Sequence, residues 1–529
     1  MMMKILAADG ISEKGIELLK QDFEVDVRDK ISAEELLEII GDYDALMVRS
    51  ASKVTAEVIE KASKLKIIGR AGVGVDNIDI PAATAKGIIV INSPGGNTIA
   101  ATEHTFAMMA SMSRNIPIAN ETMQRGEWNR KQYVGVELKG KTLGVVGLGR
   151  IGMGVAKRAL AFEMDVIGYD PYVNEERAND LGIKVVALED LIENADFITV
   201  HMPLTPETKN MISMNEMKKM KKGVRLINCA RGGIINEEDL AQAVKDGIVA
   251  GAAIDVFTEE PIAKDHPLIG LKNVVLTPHL GASTVEAQIG VSLDVSKGIL
   301  AALKGEPVTT AVNMAPVSQQ VMQVIAPYLN LAERLGCTIC SIAEGAVKKV
   351  EVTYNGEITN VNTGLLTTAV IKGMLNPVLE KEVNYVNAPM LAKSRGIKVT
   401  EIKEKEVENF TNLITVKAQA GGKEYSVKGT LFGNEGRIVE INKFSVDVDP
   451  HARILICPHI NRPGVIGTVG TFMGKHNINI SAMAVGRTDI NGTNLMVLTI
   501  DNDIPADVFK EFKSLDVIFD AKLVNFYTV

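Results

Sequence analysis

The stretch Thr142–Leu160, TLGVVGLGRIGMGVAKRAL, decides the fold. It runs from an apolar, β-branched segment through crowded glycines into a helical pattern. Gly147, Gly149 and Gly152 form G-x-G-x-x-G directly between the predicted strand and helix. The first glycine permits a tight turn, the second lets a pyrophosphate approach the backbone, and the third lets the helix pack close to the sheet. The helix N-terminus then offers unpaired N–H groups and partial positive charge to phosphates.

The next strand-like run, DVIGYD, ends in Asp170, about 18 residues beyond Gly152. An acidic group there accepts hydrogen bonds from the adenosine ribose hydroxyls and repels a 2′-phosphate. The spacing therefore predicts an NAD site rather than an NADP site. Two other glycine clusters lack such an acidic strand end. AGVGVDN has Gly72, Val73 and Gly74 available as a backbone anion nest or a plain turn. GVIGTVG, near residue 467, reads as close packing or an effector site.

Outward from the glycine turn the chain alternates short β-like runs with helical patterns. KILAA, FEVDVR, ALMVRS, KIIGRA and GIIVINS precede it, and FITVHMP, VRLINCARGG, IVAGAAIDV and NVVLTPHLGAS follow. This predicts two α/β lobes built on parallel sheets, with the long helix after Ser283 returning to the first. Beyond about Asn313 the pattern becomes α+β with antiparallel hairpins. The last part reads βαββαβ, a ferredoxin-like module.

At 529 residues several domains are expected. The composition, 46% hydrophobic and 23% charged, is that of a soluble globular protein. A net charge of −8 argues against a general nucleic-acid binder. No run of about 18 uncharged apolar residues predicts a membrane span. MMMKILAADG enters a strand-like run without the pattern of a secretory signal, so the cytoplasm is expected. Cys229, Cys337, Cys340 and Cys457 read as reduced, partly buried thiols, and no metal site is expected.

Ligands in open α/β sheets collect at the carboxyl ends of strands, which nominates His201, Arg231, Asp255, Glu260 and His279. Oxidation of a hydroxy acid needs a base for the hydroxyl proton and a cation for the carboxylate. Arg231 suits the cation, because a guanidinium pairs bidentately with a carboxylate. Either His201 or His279 could be the base, and spacing does not choose between them. Glu260 could hydrogen-bond a histidine and fix its tautomer.

Together GLGRIG with Asp170, NCARGGIINEEDL, GAAIDVFTEEP and TPHLGASTVEAQ resemble the D-isomer-specific 2-hydroxyacid dehydrogenases, and most closely their long-type, phosphoglycerate-oxidising branch. The resemblance covers essentially the whole chain. It implies a flavodoxin-like substrate lobe of residues 1–98 and 284–312, and a Rossmann-type NAD lobe of residues 99–283. An intervening allosteric α+β domain of residues 318–450 and an ACT domain of residues 452–529 would follow.

His279 would be the general acid/base, Glu260 its partner and Arg231 the carboxylate clamp. Besides the three glycines, NAD contacts would come from Arg150, Ile151, Asp170, Met202, Cys229, Ala230, Arg231, Asp255, His279, Leu280, Gly281 and Ala282. Arg49, Val73, Gly74, Asn97, Arg130 and Lys131 would bind 3-phosphoglycerate, the basic ones meeting its phosphate, in part across a subunit boundary. His459, Asn461 and Asn479 match positions that bind serine in serine-inhibited relatives. The resemblance further implies a homodimer or homotetramer.

Overall fold

The computed structural model describes residues 2–380, 382–406, 409–487 and 493–526. The expected intervening and ACT domains also span residues 381, 407–408, 488–492 and 527–529, which lie outside these. The first sheet has strands Glu24–Arg28, Lys4–Ala8, Ala45–Val48, Ile67–Arg70 and Ile89–Ile91, in that spatial order and all parallel. The central strand Ala45–Val48 is buried along its whole length, because helices cover both faces.

One of those helices comes from far along the chain. Val285–Leu303 lays Val291, Val295 and Ile299 against Ile5, Ala7 and Ile67. A Cβ on Gly69 would strike Val295 and Ile299, so the glycine sets the depth of this packing. Asn313 then ties the exit to the sheet, accepting from the Val90 N–H at 2.9 Å and donating to the Ile88 carbonyl at 2.9 Å. The expected return of the helix after Ser283 is thus found.

The second sheet has seven parallel strands in the order Val274–Leu276, Val249–Ile254, Val224–Asn228, Phe197–Val200, Thr142–Val146, Asp165–Tyr169 and Lys184–Val185. The chain begins this sheet at Thr142–Val146, proceeds to one edge, then returns past its start to the other. The order reverses between Thr142–Val146 and Phe197–Val200, which opens a crevice at their carboxyl ends.

Six strands form the third sheet. All of its pairings are antiparallel except that of Val347–Gly356 with Lys398–Glu404. Helices Gln319–Ile342 and Gly364–Leu375 cover it, crossing where Gly336 and Gly373 each face the other's backbone. Cys337 and Cys340 lie on the first of these helices as free thiols, and burial pushes the Cys337 pKa up to about 12.

The last sheet runs Ile480–Arg487, Thr493–Ile500, Arg453–Ile460, Lys522–Asn525, with all neighbours antiparallel. With helices Val465–Lys475 and Ala506–Lys513 this is the βαββαβ module expected. Side chains alternate along Arg453–Ile460: Leu455 and Cys457 face the module's own helices, whereas Ile454 and Ile456 join the core of the third-sheet domain. Close packing at GVIGTVG is not found. A Cβ on Gly464, Gly467 or Gly470 would meet nothing within 4 Å. Among the described residues no helix is long and apolar enough to cross a membrane.

Candidate active site

Strand Thr142–Val146 delivers the chain to Gly147, whose φ of +97° makes the turn. Helix Arg150–Ala161 starts at once, and no side chain caps it. The first turn bond runs from the Met153 N–H to the Gly149 carbonyl at 3.0 Å, leaving the preceding amides for a ligand. A Cβ on Gly152 would overlap the Gly147 carbonyl, whereas a Cβ on Gly149 would meet nothing within 4 Å. The third glycine therefore serves packing and the second leaves space above the turn.

Met202 packs over Gly147 from the neighbouring strand end. Asp170 accepts from the Leu148 N–H at 2.9 Å and the Tyr172 N–H at 2.8 Å, which fixes its carboxylate beside the turn. Uncapped amides, open space over Gly149 and an acid at the next strand end together fit a dinucleotide. When bound, such a cofactor supplies a hydride acceptor.

At the far side of the crevice His279 Nδ1 lies 2.8 Å from Glu260 Oε2. The other carboxylate oxygen accepts from the Phe257 N–H at 3.0 Å. Burial pushes the Glu260 pKa up, but the bonds from His279 and Phe257, with the histidine's charge, outweigh it and hold the carboxyl below its usual value. His201 is elsewhere engaged: its Nε2 is 3.0 Å from Thr199 Oγ1, and burial lowers its pKa to about 4. Geometry thus pairs Glu260 with His279 and leaves His201 neutral near pH 7.

Arg231 follows the strand Val224–Asn228 through Cys229 and Ala230, and Asn228 braces that turn by bonding the Arg231 carbonyl and the Ala230 N–H. Its guanidinium crosses to the first lobe, where Nε donates to Asp76 at 3.2 Å. A Cβ on Gly74 would overlap Arg231 Nη2, so the guanidinium lies directly against this glycine. Neither Gly72 nor Gly74 is left-handed, and the Gly72 N–H is spent on the Arg70 carbonyl.

Arg70, missed in the sequence, ends strand Ile67–Arg70 and stands beside Arg231. Burial, then repulsion from Arg231, pulls its pKa below the ordinary arginine value, and Asp76 opposes this. Its Nε is buried without a partner, as is Asn97 Oδ1. Buried unpaired polar atoms are costly, so each points to a polar ligand. Arg49 adds charge nearby. Asp9 holds its loop by accepting from the Arg49 and Ser52 N–H groups, each at 2.9 Å, and Asn77 donates to the Arg49 carbonyl at 2.7 Å. The strand-end rule, applied to the first sheet as well as the second, would have found Arg70.

The other expected residues divide. Asp255 is wholly buried, and Leu280 and Gly281 donate their N–H groups to its carboxylate at 2.8 and 2.9 Å, with Ala282 following in the same turn. Arg130 and Lys131 sit on an exposed turn, Arg130–Tyr133, and no hydrogen bond or ion pair among the described residues joins them to Arg231. In the last module His459 is buried with Nε2 unpartnered, while Asn479 donates to Asp501 at 2.5 Å.

Residues 106–281 match the NAD binding domain of D-isomer specific 2-hydroxyacid dehydrogenases. Residues 324–442 match the D-3-phosphoglycerate dehydrogenase intervening domain, and residues 454–517 the ACT domain. The chain is 46% identical to D-3-phosphoglycerate dehydrogenase of Archaeoglobus fulgidus, over 99% of this chain and 100% of the relative. It is 44% identical to the Bacillus subtilis protein of the same name, again over 99% and 100%. Among solved structures, D-lactate dehydrogenase from Aquifex aeolicus complexed with NAD and lactic acid covers 57% of this chain and 96% of its own, with TM-score 0.52 and 29% identity. Its sheets, its glycine turn and these likenesses agree, and the chain belongs to the D-3-phosphoglycerate dehydrogenases, NAD-dependent oxidoreductases of the D-isomer-specific 2-hydroxyacid dehydrogenase family.

Proposed function

We propose that the protein oxidises 3-phosphoglycerate to 3-phosphohydroxypyruvate with NAD, the entry step of serine biosynthesis. The observation that carries the substrate is the gathering of Arg49, Arg70 and Arg231, with the Arg70 Nε buried and unpartnered. A small molecule with both a carboxylate and a phosphate satisfies such a cluster.

Arg231 holds the carboxylate and polarises the reacting oxygen, while Arg70 and Arg49 meet the remaining negative charge. Asn97 Oδ1 accepts from a substrate hydroxyl. His279 Nε2 takes the C2 hydroxyl proton as the C2 hydride leaves, and Glu260 fixes the ring through Nδ1. Val73, Gly74, Arg130 and Lys131 complete substrate binding, the last two from a neighbouring subunit. We assign residues 1–98 and 284–312 to the substrate lobe and 99–283 to the NAD lobe, with regulatory domains at 318–450 and 452–529.

Exposed Ile116, Met123, Trp128 and Val134 cluster in one segment of the NAD lobe and support a homodimer or homotetramer. Serine is the proposed effector at His459, Asn461 and Asn479, supported by the buried, unpartnered His459 Nε2 and the ACT domain match. The cytoplasm is the proposed compartment.

A substrate panel tests the reading. Turnover of 3-phosphoglycerate with NAD should exceed that of glycerate with NAD and of 3-phosphoglycerate with NADP. Equal turnover of the unphosphorylated acid would refute the phosphate site.

A further inference from the structure

Helix Thr98–Ser113 leaves the connection between the two lobes and carries His104 to the inner side of the nucleotide lobe. His104 Nε2 lies 3.1 Å from Asp255 Oδ1 and 3.3 Å from Thr277 Oγ1. Asp255 has no exposed surface. Its carboxylate also accepts from Thr277 Oγ1 at 2.6 Å and from the N–H groups of Leu280 and Gly281. Its main-chain carbonyl accepts from the His279 N–H at 2.8 Å. One residue therefore grips the catalytic loop on both sides of His279.

That grip has work to do. His279 is left-handed, with φ +54°, a conformation that side-chain-bearing residues adopt rarely and hold only when their surroundings enforce it. Among the described residues, three of the four donors to the Asp255 carboxylate belong to the loop being held. Among the described residues His104 is the side-chain donor from outside that loop, and it comes from the helix that links the lobes. The loop also abuts this helix, since a Cβ on Gly281 would touch Ala101. A buried carboxylate needs an outside donor to keep its charge and rotamer while the loop moves.

We propose that His104 is a positioning residue, which acts through Asp255 to hold the His279 loop in its left-handed, reactive form. The proposal rests on the role assigned to His279. Direction of titration agrees: burial raises the Asp255 pKa, but hydrogen bonds from His104, Thr277 and Leu280, with the His104 charge, hold it below the usual value. Glu260 and His279 face Asp255 from the loop side. Cys229 stands beside it as a neutral thiol, its pKa pushed to about 12 by burial, then by Asp255.

The test compares His104→Leu with His104→Gln, whose Nε2 keeps a donor at the same reach. His104→Leu should lower kcat about 10- to 100-fold, since small displacements of a catalytic group cost that much, with KM for NAD changed less than about twofold. The acid limb of its kcat profile should move to higher pH, because Asp255 loses its strongest compensating donor. His104→Gln should restore both. Independently of turnover, hydrogen exchange in a peptide spanning residues 277–285 should quicken in His104→Leu and not in His104→Gln. A wild-type acid limb and unchanged exchange in His104→Leu would overturn the proposal. So would equal impairment in both variants. Should the unmutated enzyme fail to oxidise 3-phosphoglycerate, the substrate reading falls, while the exchange comparison still decides the role of His104.

Discussion

His279 and Glu260 meet through Nδ1 and Oε2 at 2.8 Å, so the ring presents Nε2 to the crevice. The second oxygen of Glu260 is held by the Phe257 N–H, which stops the carboxylate from rotating away. Glu260→Ala should therefore lower kcat by about 10²-fold through loss of ring orientation, leaving NAD affinity unchanged. Steady-state kinetics with calorimetric titration of NAD checks this.

His201 offers the contrasting case. A part-buried histidine with a pKa near 4 binds its proton less readily folded than unfolded, where the value is about 6.5. Its cost to stability is therefore absent above about pH 6.5 and grows as pH falls towards 4, reaching up to about 3 kcal/mol. His201→Gln should flatten the fall of the melting temperature between those pH values and leave turnover near the unmutated level. Scanning calorimetry across that range decides it.

The glycine turn separates stability from binding. Gly152→Ala forces a Cβ into the Gly147 carbonyl and should lower the melting temperature by several degrees, as overpacking costs about 1–3 kcal/mol. Gly149→Ala places its Cβ in open space, so the ligand-free protein should melt as before. Its NAD affinity should still fall at least about tenfold, because that methyl occupies the pyrophosphate approach. Paired melting and titration experiments separate the two effects.

Much of this was legible in the chain. Local patterns carried the nucleotide lobe: a strand, three glycines and a helix in register, then Asp170 at the next strand end. The terminal βαββαβ order was equally readable, because each element is short and bounded by turn residues. The rest depends on contacts between distant segments. Arg70 looks like any strand-end arginine until Arg231 folds beside it, and His104 like a residue of an apolar helix until Asp255 arrives 151 positions later. Glycines also misled: Gly464, Gly467 and Gly470 face open space rather than a packed neighbour.

The central claim is that the His279 imidazole moves the substrate proton while NAD is held elsewhere, and the kcat of His279→Ala tests it most directly. With NAD affinity measured on the same preparation, kcat for 3-phosphoglycerate should fall by about 10²- to 10⁴-fold while NAD binds as before. A variant that turns over at a near-normal rate would contradict the account.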